Sequence, residues 1–480
     1  MPIRSLISLY LPSYPTMLVY MLQSSEYQVG PYLKWLARTK DFTKVAHRRQ
    51  LELTRRAWLL LLTLRLGILL EILAGLGLIY LGVWHHLAGG VPFGAALIVI
   101  YPLLWAYLVM LPLELGRRLV TQPAELRQVR QSEQLFTAHK ALRIAVAGSY
   151  GKTTMKELLN TVLGEGLKVA ATPANQNVSI SHARWAKQLG GDEEVLIIEY
   201  GEGAPGDVAR FAHITQPTHA VITGLAPAHL DQYKTLRAAG KDIFAVADYL
   251  KSKHVYVNDE SPDIKPFLKP SYQTFNEKGA LSWRVEQVEI SLGGIDFTLK
   301  KGKQSLNLHS GLVGRHQIGF LAFAAAFGLQ LGLTEEQVRA GIAKTAPFEH
   351  RMQPYQLAGA WIIDDTYNGN LEGIRAGTQL LKDVEAKRKI YVTPGLVDQG
   401  EETERVHMEM GKLIAAAQPD LVVLMRNSVT DYIKRGLKAG KFKGELQIEP
   451  DPLEFYSNLT HFVASGDLVV MQNDWTDNYA

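Results

Sequence analysis

Leu142-Arg143-Ile144-Ala145-Val146-Ala147-Gly148-Ser149-Tyr150-Gly151-Lys152-Thr153-Thr154 is the stretch on which the reading of this 480-residue chain turns. Residues 142–147 are a short apolar run of strand type, and the residues after Thr154 read as a helix. Between them lies a glycine-containing turn followed by Lys-Thr-Thr. That arrangement is a phosphate-binding loop. Its backbone N–H groups and the helix N-terminus hold phosphate oxygens, the lysine reaches the terminal phosphates, and a threonine hydroxyl meets Mg2+. The spacing departs from G-x-x-x-x-G-K-[ST], because Val146 stands where the first glycine would be.

Upstream of the loop the composition changes. The chain is long enough for two or three domains, and 47% hydrophobic with 20% charged residues suits a globular enzyme on average. The apolar residues, however, crowd between Ala57 and Leu115. Ala57–Trp84 and Val91–Leu115 each exceed the ~20 apolar residues that a helix needs to cross ~30 Å of hydrocarbon. Arg65 and Glu71 inside the first run are costly in lipid unless they pair or face protein. The competing reading is a pair of buried core helices.

Basic residues flank this pair. Arg38, Lys40, Lys44, Arg48, Arg49, Arg55 and Arg56 precede the first run, and Arg117, Arg118, Arg127 and Arg130 follow the second, while residues 85–90 contain no Lys or Arg. The positive-inside rule then predicts a cytoplasmic-membrane protein with two transmembrane helices, both termini in the cytoplasm and a short tip outside. Ile3–Leu22, broken by Pro12 and Pro15, reads as a kinked or interfacial segment, with a third span as the alternative. A net charge of +4 without a long basic run argues against nucleic acid as a partner. The absence of cysteine excludes disulfides, thiolate zinc sites and a cysteine nucleophile.

Downstream, the shorter pattern G-x-x-G-K-T-T resembles the ATP loop of the Mur ligases, and further motifs follow in that family's order. Thr172-Pro173-Ala174-Asn175-Gln176-Asn177 resembles its T-x-x-N-x-N substrate-side loop. VLIIE at 195–199, followed by Tyr200-Gly201, resembles the E-x-G motif whose Glu binds Mg2+. TGLAPAHLD at 223–231 resembles the motif whose His is a second metal ligand. Gly314-Arg315-His316-Gln317 is similar to the G-x-H-N helix near the adenine, with Gln317 for Asn. Phe348-Glu349-His350-Arg351 stands at P-x-G-R, with His350 for Gly. WIIDDTYNGN at 361–370 resembles the D-D-S-Y-N-A-N-P motif of the D-alanyl-D-alanine-adding branch, with Leu371 for Pro. VTPGLVDQG at 392–400, His407 and Gly411 resemble the stretch where an amino-acid substrate sits. The late K-G-S is absent, and Gln472-Asn473-Asp474-Trp475 follow Gly466-Asp467 instead.

The resemblance covers roughly Leu142–Asp474, and what it implies is specific. Gly148, Ser149, Gly151, Lys152, Thr153 and Thr154 form the nucleotide loop, joined by Gln317, Arg351, Asp365 and Asn368. Thr153, Glu199, His229 and Lys241 hold Mg2+, the lysine through a carbamate. Asn175, Asn177 and Asn370 meet substrate. Lys152, Glu199, His229 and Lys241 are the catalytic set.

The fold so implied is α/β. Residues 1–56 are a cytoplasmic or interfacial segment, 57–115 a transmembrane hairpin, and 116–140 a linker helix. A central P-loop-type ATP-binding domain spans 141–346, and a Rossmann-like C-terminal domain spans 347–480. The hairpin occupies the place where ordinary members carry a UDP-binding domain. The implied activity is an ATP-dependent, ADP-forming carboxylate–amine ligation through an acyl phosphate, with ATP and Mg2+. Its partners are a peptidoglycan-like and possibly lipid-linked precursor, an amino acid or dipeptide, and membrane lipid. Alternatives are a poly-γ-glutamate-like synthase and a non-catalytic nucleotide-binding membrane scaffold. A transporter ATPase lacks both a Walker B context and sufficient spans.

Overall fold

In the computed structural model, residues 7–39, 42, 51–174, 176–227, 230–367, 369–397 and 399–473 are described. Asn175, His229 and Asn368 lie outside these residues, as do Lys40, Lys44, Arg48 and Arg49 of the first basic flank and Asp474 and Trp475. The chain divides into two compact units, Met1–Leu126 and Arg127–Ala480.

In the first unit the leucine-rich run folds as one helix, Arg55–Trp84, and a second helix follows at Gly90–Leu108. Thr54 caps the first by accepting from Ala57 N at 3.2 Å. The two helices run antiparallel and touch through glycines. A Cβ on Gly75 would stand 2.9 Å from Gly94 O, and one on Gly94 only 2.4 Å from Gly75 O. Small residues let the backbones approach this closely, which is how helices associate when leucine surface offers no advantage over its surroundings. Both helical runs are long and apolar enough to cross a membrane, and only 6% of the most apolar window of the first is buried. The described chain therefore does not bury this helix in a core of its own. From the second helix, Trp105 Nε1 donates to Glu71 Oε2 of the first at 2.6 Å, which gives that acid a partner. Arg65 is exposed.

The N-terminal segment wraps the base of this pair. A turn at Ser8–Tyr10 precedes the helix Tyr14–Ser24, whose first turn contains Pro15, where a missing N–H costs nothing. Leu18, Leu22 and, from the helix Val29–Arg38, Tyr32 pack with Ala57, Leu60, Leu64 and Val109. Tyr10, Tyr14 and Tyr32 donate their hydroxyls to the carbonyls of Val99, Pro102 and Ala106 at 2.5, 3.4 and 2.9 Å. Those carbonyls are three and four residues apart, so the tyrosines grip one face of the second helix.

The second unit contains two sheets. The first comprises β1 (Leu142–Ala147), β2 (Val169–Ala171), β3 (Val195–Glu199), β4 (His219–Ile222), β5 (Val255–Asn258), β6 (Gln273–Asn276), β7 (Gly279–Ala280), β8 (Trp283–Ser291), β9 (Gly294–Lys301) and β10 (Gln304–Ser310). Their order is β10-β9-β8-β7-β6-β5-β4-β1-β3-β2. The strands from β2 to β6 are parallel, and β7 to β10 extend the sheet antiparallel. Successive side chains of a strand face opposite ways. Ile144 and Val146 therefore enter one core with Met155, Leu158 and Phe323, while Ala145 and Ala147 enter another with Trp185, Ile198 and Phe211. Burial on both faces explains why these strands read as continuous apolar runs. The Ala- and Phe-rich helix Ile318–Gln330 is apolar on all sides and lies in the first of these cores.

The second sheet comprises β11 (Gln353–Leu357), β12 (Ala360–Asp365), β13 (Arg388–Thr393), β14 (Leu421–Met425), β15 (Glu445–Glu449) and β16 (Asp467–Gln472), in the order β11-β12-β16-β13-β14-β15. Only β11 is antiparallel to its neighbour. The last strand therefore lies between the second and third of this sheet, and its C-terminal end falls beside that of β12.

Candidate functional site

β1 and β3 pair with Val146 opposite Glu199. The turn leaving β1 and the carboxylate ending β3 thus emerge at the same level, at a point where the strand order reverses around β1. Open α/β sheets bind ligands at such points, beyond the carboxyl ends of the strands. The turn is held against β4, because Ser149 N donates to Gly224 O at 3.0 Å. The Thr223 hydroxyl also contacts the carbonyls of Ala147 and Tyr150. Gly148 has φ +145°, and a Cβ there would stand 2.2 Å from Thr223 Oγ1. Glycine is required by both conformation and space. Gly151, at φ +70°, then opens the helix Lys152–Leu163.

Several polar groups converge on Glu199, which is 2% exposed. Thr153 Oγ1 donates to Oε1 at 3.1 Å, and Asn177 Nδ2 donates to the same oxygen at 3.2 Å. Oε2 has no hydrogen-bond partner among the described residues and lies 3.5 Å from Lys156 Nζ. Behind the strand, His182 Nε2 donates to the Glu199 carbonyl at 2.9 Å, and burial pushes this imidazole down to about 4, so it is neutral at pH 7.

Lys156 and Glu202 are two site residues absent from the sequence reading. Lys156 is wholly buried. Its ammonium donates to the carbonyls of Thr172, at 2.9 Å, and Ala174, and pairs with Glu157 at 3.0 Å. The only sequence signal was its position one helical turn after Lys152, among Met155, Leu158 and Leu159. Glu202, three residues beyond Glu199, lies 3.3 Å from Lys152 Nζ through Oε1 and 3.4 Å from Ser149 Oγ through Oε2. It follows the E-Y-G motif directly, but nothing in its spacing marked it.

The other wall comes from the second sheet. Asp365 ends β12 opposite Gln472 of β16. Gln472 Nε2 donates to Asp365 Oδ2 at 2.7 Å, and Gln472 Oε1 accepts from the Tyr391 hydroxyl at 2.7 Å. Burial pushes the Asp365 carboxyl up to about 7 against these hydrogen bonds. The Arg351 guanidinium lies over the Tyr367 ring, 4.3 Å from its centroid. Asn370 caps the helix Leu371–Asp383, accepting from Gly373 N at 3.0 Å. Gln317 donates its amide N–H to His316 Nε2 at 2.9 Å, while its own Oε1 has no partner among the described residues. Burial pushes Glu260 up to about 7.

These walls enclose a cleft of about 800 Å³. Ser149, Gly151, Lys152, Thr153, Thr154, Asn177, Glu199, Gln317, Arg351, Asp365 and Asn370 all line it, and Gly148 lies directly before the lining residues. Lys241 is not among them. It is exposed on the helix Leu236–Ile243, whereas the neighbouring Asp242 turns inward to accept from Gly206 N at 2.7 Å and the Tyr233 hydroxyl at 2.8 Å.

Residues 146–328 match the Mur ligase middle domain, and residues 350–472 match the Mur ligase, glutamate ligase domain. The chain belongs to the Mur ligase family. Relatives include the UDP-N-acetylmuramoyl-tripeptide–D-alanyl-D-alanine ligases of Escherichia coli, 27% identical over 287 residues, and of Bacillus subtilis, 25% identical over 287 residues. The first match spans 58% of this chain and 63% of the relative's own length. Among solved structures, the MurF ligase from Thermotoga maritima in complex with ADP is similar with a TM-score of 0.64 at 21% identity, over 73% of this chain and 80% of that one. A pseudomurein peptide ligase type C from Methanothermus fervidus is similar with a TM-score of 0.54 at 16% identity, over 71% of this chain and 77% of that one.

Proposed function

We propose that this protein is a membrane-anchored, ATP-dependent ligase that joins a carboxylate to an amine on a peptidoglycan-like precursor. The observation that carries the reading is the meeting of Lys152, Thr153 and the buried Glu199 at one end of a parallel sheet, across an 800 Å³ cleft from Arg351 and Asp365. In the proposed reaction a substrate carboxylate attacks the γ-phosphate of ATP, releasing ADP and forming an acyl phosphate. An amine then attacks the acyl carbon, phosphate leaves, and an amide remains. The relatives' names point to a muramoyl-tripeptide as the acid and D-alanyl-D-alanine as the amine.

The Glu199 carboxylate, whose Oε1 accepts from the Thr153 hydroxyl and whose buried Oε2 takes no hydrogen bond from the described residues, makes with that hydroxyl an oxygen donor set that suits Mg2+. Thr153 and Glu199 would hold the ion, together with His229 by its motif; bound there it would neutralise phosphate charge. Lys152 and the N–H groups of the Gly148–Gly151 turn bind and orient the phosphates. Asn177, tied to Glu199, faces the acid substrate from the same side. Arg351 and Asp365 address the nucleotide from the other wall, so closure of the cleft brings the two halves together and excludes water that would hydrolyse an acyl phosphate.

Membrane anchoring draws its support from the exposed apolar side chains of the helix pair, among them Leu69, Leu73, Leu76, Phe93, Val99 and Leu103. The charge asymmetry of the flanks assigns both ends of the pair, and the catalytic unit, to the cytoplasm. An acceptor delivered at the membrane, including a lipid-linked one, fits that placement.

The test is phosphate release from ATP by the detergent-purified protein, with UDP-linked and lipid-linked muropeptides as acids and D-alanyl-D-alanine or single amino acids as amines. Release requiring both partners and abolished by Lys152→Ala is expected. Absence of turnover with every acid–amine pair, while ATP still binds, would overturn the ligase reading in favour of a nucleotide-binding scaffold.

A further inference from the structure

The two groups best placed to receive phosphate oxygens already hold an anion. Lys152 Nζ and Ser149 Oγ both contact the Glu202 carboxylate, at 3.3 and 3.4 Å, one through each oxygen. The Glu202 side chain is only 4% exposed, yet it lines the cleft. A carboxylate offers two acceptor oxygens, as a phosphate edge does, and so gives a counter-charge to an ammonium that otherwise donates to the Gly148 carbonyl. When a nucleotide phosphate takes Lys152 and Ser149, Glu202 loses its counter-charge beside a polyanion, and in a cleft of low effective dielectric that repulsion is strong. Glu202 then requires another cation. Glu199, three residues earlier, lines the same cleft, and its buried Oε2, 3.5 Å from Lys156 Nζ, takes no hydrogen bond from the described residues.

We propose that Glu202 competes with phosphate for Lys152 and Ser149, and that when a nucleotide takes those groups it becomes a carboxylate ligand of the nucleotide's divalent cation, beside Glu199. This inference rests on the nucleotide-binding reading above. It assigns the cation a second carboxylate from the cleft lining, which Lys241 does not join. The exchange makes and breaks only hydrogen bonds and coordination bonds, with no proton transferred.

The experiment is calorimetric titration of ADP into the full-length protein in detergent, once with Mg2+ and once with EDTA, for the wild type, Glu202→Gln and Glu202→Ala. Both variants are expected to bind ADP more tightly than the wild type in EDTA, because the competing anion is gone. The factor by which Mg2+ improves ADP affinity is expected to fall about tenfold. Gln keeps the shape of Glu and one of its two acceptor oxygens while removing the charge, so it reports the charge even if the Ala variant is poorly folded. A Mg2+ factor equal to that of the wild type in the folded Gln variant overturns the inference and leaves the nucleotide-binding reading intact. A wild type that binds ADP under neither condition overturns both.

Discussion

Asp365 shows how one side chain can be displaced from its ordinary chemistry by its place in the sheet. Its register opposite Gln472 holds it in a polar chain with Tyr391, yet burial outweighs those hydrogen bonds and raises its carboxyl from 3.8 to about 7. The folded state therefore keeps a proton that the unfolded chain releases. Stability from this group falls as pH rises from about 4 to about 7 and is level above that. Asp365→Asn removes the loss and can still accept from Gln472. The thermal midpoint of the variant, relative to the wild type, is expected to rise across that interval and then stay constant. Melts at a series of pH values check it. Glu260, also raised to about 7, titrates in both proteins and cancels in the comparison. Neither shift was legible in the sequence, because a carboxylate in D-D-T-Y-N reads the same whether or not the next strand buries it.

Between elements, the tie that matters most is Lys156. From inside the helix Lys152–Leu163 its ammonium holds the carbonyls of Thr172 and Ala174, and so anchors the segment that carries Asn177 to Glu199. Removing one partner of a buried ion pair leaves the others uncompensated. Lys156→Met is expected to lower stability by about 3 kcal/mol, read from urea unfolding, and to raise KM for the acid substrate more than it lowers ADP affinity. The glycine contacts of the apolar pair are another link between elements. Gly75 and Gly94 sit where a Cβ would strike the opposing backbone, so the pairing of those helices is specified by what their leucines leave out.

For the molecule as a whole, the division after Leu126 separates a unit with a largely exposed apolar helix pair from a unit that contains every described cleft residue. A chain beginning at Arg127 is expected to bind ADP with the affinity of the full-length protein while no longer sedimenting with lipid vesicles. Sedimentation and calorimetry on the two chains test both halves of that statement. Retained vesicle binding would locate the membrane contact in the catalytic unit instead.

Periodicity and local punctuation determined much of this protein directly. The strand, turn and helix around Gly148–Thr154, the apolar run closing on Glu199, and the two long apolar helices are written in consecutive residues, where backbone geometry and hydrophobic spacing act over short range. Tertiary structure alone decided which of the charged residues face one another. Parallel pairing set Val146 against Glu199 and Asp365 against Gln472, and insertion of the last strand beside β12 made Gln472 part of the site. Lys156 and Glu202 gained their roles, and Lys241 lies outside the cleft lining, for the same physical reason. The position of a charge relative to a buried partner is fixed by strand order and burial across tens to hundreds of residues, which no local pattern encodes.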